Sequence, residues 1–132
     1  MDEVGPTELL ARFIFQKNHF SRQNNRVKYN AFLPNPDGET SVFRTDGFAD
    51  HEIWQTGEQV GLQRTQTLYG RGDIRTDKVV EAGLSVQPKE PPKHHANIVD
   101  WPVDKSERIS KAQQLAANAR LVLKHATETR DA

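Results

Sequence analysis

"DKSERISKAQQLAANARLVLKHA", Asp104–Ala126, is the stretch whose reading decides the fold. Ile109, Ala112, Leu115, Ala116, Ala119, Val122, Leu123 and Ala126 recur at three- and four-residue intervals, which places them on one stripe of an α-helix. Asp104 and Glu107 have the spacing of a capping box, with Asp in the place of Ser or Thr. Acids stand at the beginning and Arg120, Lys124 and His125 near the end, the order that the helix dipole favours. Leu121 falls off the stripe and is either exposed or in contact with another element. The stretch therefore reads as one long amphipathic helix that needs an apolar surface to lie on.

The segments upstream read as the strands that supply this surface. "LLARFIF" (Leu9–Phe15) is apolar at most positions, and Phe13, Ile14 and Phe15 favour a buried strand. "VKYNAFL" (Val27–Leu33) alternates apolar and polar side chains, as a half-buried strand does. In the following "PNPDGET", Pro36 suits the second and Gly38 the fourth position of a turn opened by Asn35, and "SVFR" (Ser41–Arg44) resumes extended character. Val27–Arg44 is thus expected to form a β-hairpin.

Asp50 caps a helix expected over His51–Gly61, with Ile53, Trp54, Gly57, Val60 and Gly61 on one face. Gly57 weakens that helix by about 1 kcal/mol relative to alanine. A strand around "TLYG", a short helix in "TDKVVEA" closed by Gly83, and strands in "LSVQP" and "HANIVDW" complete the pattern. The fold class expected is α+β: a mainly antiparallel sheet of about five strands, a long C-terminal amphipathic helix, and one or two shorter helices. Residues 1–132 read as a single domain, frayed over 1–6 and 127–132.

Composition narrows the function classes. The 132 residues include no cysteine, which excludes disulfides, thiolate catalysis and cysteine-ligated zinc. No apolar run approaches the roughly 18 residues that span a bilayer, and "MDEVGPTELL" lacks the features of a signal peptide. A soluble, cytoplasmic protein with no membrane partner is expected. Eighteen basic and eighteen acidic residues cancel, so the whole molecule has no field that gathers polyanions. The local distribution is uneven. Arg12, Lys17, Arg22, Arg26 and Lys28 lie between Leu9 and Pro36 without one acid, whereas Asp37–Gln66 holds six acids against Arg44 and Arg64.

That basic segment is the strongest candidate site. Its cations are interleaved with Phe13, Phe15, Phe20, Tyr29 and Phe32, and "QKNHFSRQNNR" adds amide groups. Arg and Lys bind phosphates, amides read base edges and aromatic rings stack on bases. Lys17, His19, Phe20, Arg22, Arg26 and Lys28 are accordingly the expected ligand-binding residues of a non-catalytic recognition or assembly module. Its partner would be nucleic acid, another phosphate-bearing ligand or an acidic protein surface. The bland alternative is a solvated loop, neutralised by the acidic segment that follows.

The rival reading is a small histidine-dependent hydrolase or phosphotransfer enzyme, with His95 and His19 for acid–base chemistry and Arg71 or Arg44 to hold an anion. Neighbours in an extended segment point to opposite faces, so His94 and His95 cannot easily share a metal; no metal or cofactor is expected. "HEIWQ" (His51–Gln55) lacks the second histidine of a zinc-protease helix, and "GLSVQ" lacks the second glycine of a nucleophile elbow. "RGD" (Arg71–Asp73) reads as a plain turn, and "PKEPPK" as a rigid connector. A third reading makes the chain an oligomer subunit, with Trp54, Trp101 or Leu121 at the interface.

Overall fold

A computed structural model describes residues 3–124. Six strands form one sheet in the order β6-β7-β4-β1-β5-β8, and each neighbouring pair is antiparallel. β1 (Leu9–Ile14) runs through the middle, between β4 (Thr40–Arg44) and β5 (Gly70–Arg75). Period-two alternation sends its side chains to two different cores. Leu10 and Ile14 join Val42, Ile74, Ala96, Ile98 and Leu121 in the larger one, which α2 (Thr76–Glu81) and α3 (Lys105–Asn118) cover through Val79, Ala112 and Leu115. Ala11 and Phe13 join Phe43 and Leu68 on the opposite face, beneath Ile53 of α1 (Asp50–Arg64). The sheet is thus covered on both faces.

Several expectations hold in detail. α2 ends before Gly83, whose φ is 84°; β6 (Ser85–Pro88) and β7 (His95–Val99) pair with each other, so Lys89–His94 is their connector. The Asp104 carboxylate accepts the Glu107 N–H at 2.9 Å and caps α3. The Asn35 turn forms too, with the Gly38 N–H donating to the Asn35 carbonyl at 2.8 Å.

The C-terminal helix is shorter than its stripe. α3 ends at Asn118, Ala119 is extended, and Arg120–Leu123 forms β8 on the outer side of β5. Strand periodicity turns Leu121 into the larger core, which explains why it missed the helical stripe. The last residue of that stripe, Ala126, lies outside the described residues, as do His125 and the expected frayed end at 127–132.

The expected hairpin over Val27–Arg44 does not form. β2 (Phe20–Ser21) pairs with β3 (Arg26–Val27) as a separate ribbon, and Tyr29–Ala31 is a 3₁₀ turn. Tertiary packing overrides the alternating pattern: Ala31 and Phe32, which a strand would send to opposite sides, are both buried. α1 begins at Asp50 rather than after it; Glu52 accepts the Ala49 N–H at 2.8 Å. It also runs past Gly61 to Arg64 and closes at Thr65, whose φ is 55°. Near the N-terminus, Val4 packs on the larger core, and the carbonyl of Pro6 accepts the Asp77 N–H at 2.9 Å.

"GRGD" is a strand, not a turn. Gly72 lies where a Cβ would stand 3.0 Å from Val27 Cγ2, and Gly70 where it would meet the Val122 carbonyl oxygen at 2.7 Å. Both glycines serve close approach, one beneath the ribbon and one beside β8.

Candidate functional site

The ribbon Phe20–Val27 is built by its own sequence. Phe20 and Val27 face each other across it and are both buried, while Ser21 and Arg26 pair on the outward side. The tip is tied by the Asn25 N–H to the Arg22 carbonyl at 3.3 Å and by the Asn24 N–H to the Ser21 hydroxyl at 3.1 Å. Asn25 has φ of 52°, a left-handed conformation that asparagine tolerates well. Behind the ribbon, the Arg12 Nε donates to the Ala31 carbonyl at 2.7 Å and Nη1 donates to the Ser41 carbonyl at 2.9 Å. Arg12 thereby ties the turn after the ribbon to β4. Burial pulls its guanidinium down to about 10, with a smaller push from Arg64, so it remains charged at neutral pH.

The six expected ligand-binding residues have different fates. Arg22 stands at the exposed tip, and exposed Arg26 and Lys28 line one wall of a groove of about 410 Å³ between the ribbon and α3. Ser21, Asn24, Tyr29 and Asn30 complete that wall; Gln113 and Ala116 of α3 form the other. Among the described residues, no carboxylate lines the groove. Among the described residues, neither Lys17 nor Arg22, Arg26 or Lys28 forms an ion pair.

Lys17 lies outside the groove, its ammonium 5.9 Å from the centre of the Tyr69 ring. Phe20 packs in the core against Tyr69, with ring centres 6.1 Å apart, and so anchors the ribbon from within. His19 is half-buried; desolvation, then the charge of Arg12, holds its pKa below the ordinary histidine value. It therefore brings no charge to the site at neutral pH. Its carbonyl accepts the Lys28 N–H at 2.9 Å, which extends the pairing of the ribbon.

The acids after Asp37 do not neutralise these cations. Asp46 accepts the Leu9 N–H, Glu39 accepts from Asn97, Asp50 pairs with Arg71, and Glu58 pairs with Lys124.

His95, His19 and Arg71 do not converge. His95 stands on β7 and Arg71 on β5, with β4 and β1 between them, a separation of about 14 Å at ordinary strand spacing. Arg71 is 4% exposed. It donates to Asp73 at 3.0 Å and to Asp50 at 2.9 Å, and lies 4.6 Å from the Trp54 ring centre. Its Nη1 has no hydrogen-bond partner among the described residues. Burial pushes the Asp73 carboxyl up, against the attraction of Arg71. Arg44 is likewise engaged: it donates to Glu8 through Nε at 2.9 Å and Nη2 at 2.8 Å, which holds the Glu8 carboxyl below the usual glutamate value.

Sequence reasoning missed one partner of His95. Ring atom Nδ1 lies 2.8 Å from the Lys89 carbonyl, which can only accept, so Nδ1 carries the hydrogen. Nε2 then accepts from the Ser41 hydroxyl at 2.6 Å. Together the two bonds link β4, through the His95 ring on β7, to Lys89 of the β6–β7 connector, and the imidazole stands edge-on to Phe43 at 5.2 Å. His94 turns elsewhere, against Phe48.

The three candidate interface residues are engaged inside the chain. Trp54 covers Arg71, Trp101 packs on the larger core with its indole N–H on the Ile98 carbonyl, and Leu121 is buried. Among the described residues, no three His, Asp or Glu side chains gather as a metal site would require, and no helix is long and apolar enough to cross a membrane. Comparison with protein-family models, with curated proteins and with solved structures returns no match.

Proposed function

We propose that the protein is a non-catalytic recognition module that binds nucleic acid through the Phe20–Asn30 segment. The observation that carries this reading is a groove with no carboxylate among the described residues, where Arg26 and Lys28 stand exposed with no ion-pair partner among those residues and Arg22 extends the same charge to the tip. A phosphate chain supplies the missing anions. Phe20 and His19 act from behind, as residues that position the ribbon. The hydrolase reading keeps the Ser41–His95 bond in its favour but not a shared site for its other members.

The test is a salt titration with a fluorescent oligonucleotide. Binding should weaken with a log–log slope of about −0.7 to −0.9 per phosphate neutralised. Replacing Arg22, Arg26 and Lys28 together by glutamine should abolish binding in a protein that melts like the parent. Unchanged binding in that variant removes the reading.

A further inference from the structure

We infer that the groove between the ribbon and α3 seats one unpaired base of the bound strand, with Tyr29 as its stacking surface; this rests on the nucleic-acid reading above. Tyr29 is 37% exposed although its neighbours Ala31 and Phe32 are fully packed. Its backbone is fixed by the 3₁₀ turn, in which the Phe32 N–H donates to the Tyr29 carbonyl at 2.9 Å. The ring is therefore presented, not merely left over.

Around it stand three amide side chains, Asn24 at the tip, Asn30 beside it and Gln113 across the groove. Each can donate and accept, which suits the mixed donors and acceptors along a base edge. Asn30 Oδ1 is buried and has no hydrogen-bond partner among the described residues. The cations on the same wall, Arg26 and Lys28, are placed for the flanking phosphates.

A flat ring, amides and cations, with no acid among the described residues of the lining, together match a nucleotide unit. An acidic protein surface would use the cations and leave the aromatic and amide groups idle. A base held in a duplex is stacked and paired on both sides and cannot enter, so the partner is single-stranded.

The decisive experiment compares fluorescent probes of equal phosphate number, in DNA and RNA forms: a single strand, its duplex, and a strand of abasic residues. The wild-type chain should bind the single strand more tightly than the other two. Tyr29→Leu should weaken the single strand by roughly 5- to 150-fold, the range of one lost base–aromatic stack, and leave the abasic strand unchanged. Gln113→Leu, at an exposed helix position, removes the amide across the groove without touching the ribbon core and should weaken the single strand but not the abasic strand if Tyr29→Leu proves unstable. Equal binding of all three probes overturns the base pocket while leaving the phosphate-binding reading intact. Failure to bind any of them, with binding of an acidic polypeptide instead, overturns the nucleic-acid reading itself.

Discussion

At Gly57 two physical effects oppose each other, and their magnitudes decide. Alanine in mid-helix gains about 1 kcal/mol over glycine by propensity. A Cβ at Gly57 would stand 2.7 Å from Phe13 Cε1, 2.8 Å from its Cδ1 and 2.9 Å from Leu68 Cδ2. Phe13 and Leu68 are both core residues, so neither yields freely, and overpacking of this kind costs about 1–3 kcal/mol. Packing should win. Gly57→Ala is expected to be destabilised, read as a lower midpoint in urea with an unchanged slope; a higher midpoint would mean that α1 sits further from the sheet. The same close packing explains Arg71. Its stem runs beneath α1 beside Phe13, and its charge is matched to Asp50 and Asp73, so a residue that looked presented in sequence is spent on structure.

Elements were legible where their signals are local. The Asp104 cap, the Gly83 stop of α2 and the short strand β7 each depend on a few neighbouring residues, and each stands as the sequence implied. β8 was hidden because Ala119, Val122 and Leu123 satisfy a helical repeat by coincidence over one turn, while the edge of β5 offered them a strand. β5 was hidden for the opposite reason: two glycines lower strand propensity, and only the nearness of Val27 and Val122 explains them. Leu121 separates the readings of the C-terminal segment. On the exposed back of a helix, Leu121→Ala would change stability by less than about 0.5 kcal/mol. Buried at 9% exposure in the larger core, the same change should cost about 2–5 kcal/mol in chemical denaturation. A near-neutral result would restore the long helix.

Across the whole molecule, the candidate site shows the same division. The cations and Tyr29 were visible in sequence; Gln113 was not, because nothing local brings α3 beside the ribbon. Those contacts also set how stability follows pH. Native His19 has a lowered pKa, whereas the unfolded chain takes up a proton on it near 6.5. The unfolded state then binds more protons, so stability falls as pH drops below about 6.5 and this loss is complete below the native pKa. Glu8 acts later and with the same sign. Its bond to Arg44 stabilises the fold above the ordinary value of 4.5 and is lost as pH falls through its depressed native pKa. Asp73 opposes them: its raised native pKa means that acidification relieves part of the burial penalty above 3.8. Urea midpoints measured across acid pH should therefore decline in two stages. His19→Gln should flatten the first stage and leave the second, while Glu8→Gln should weaken the fold at neutral pH and shrink the second, to which the lowered Asp104 carboxyl also contributes. If His19→Gln declines below 6.5 as steeply as the parent, the imidazole is not held neutral beside Arg12.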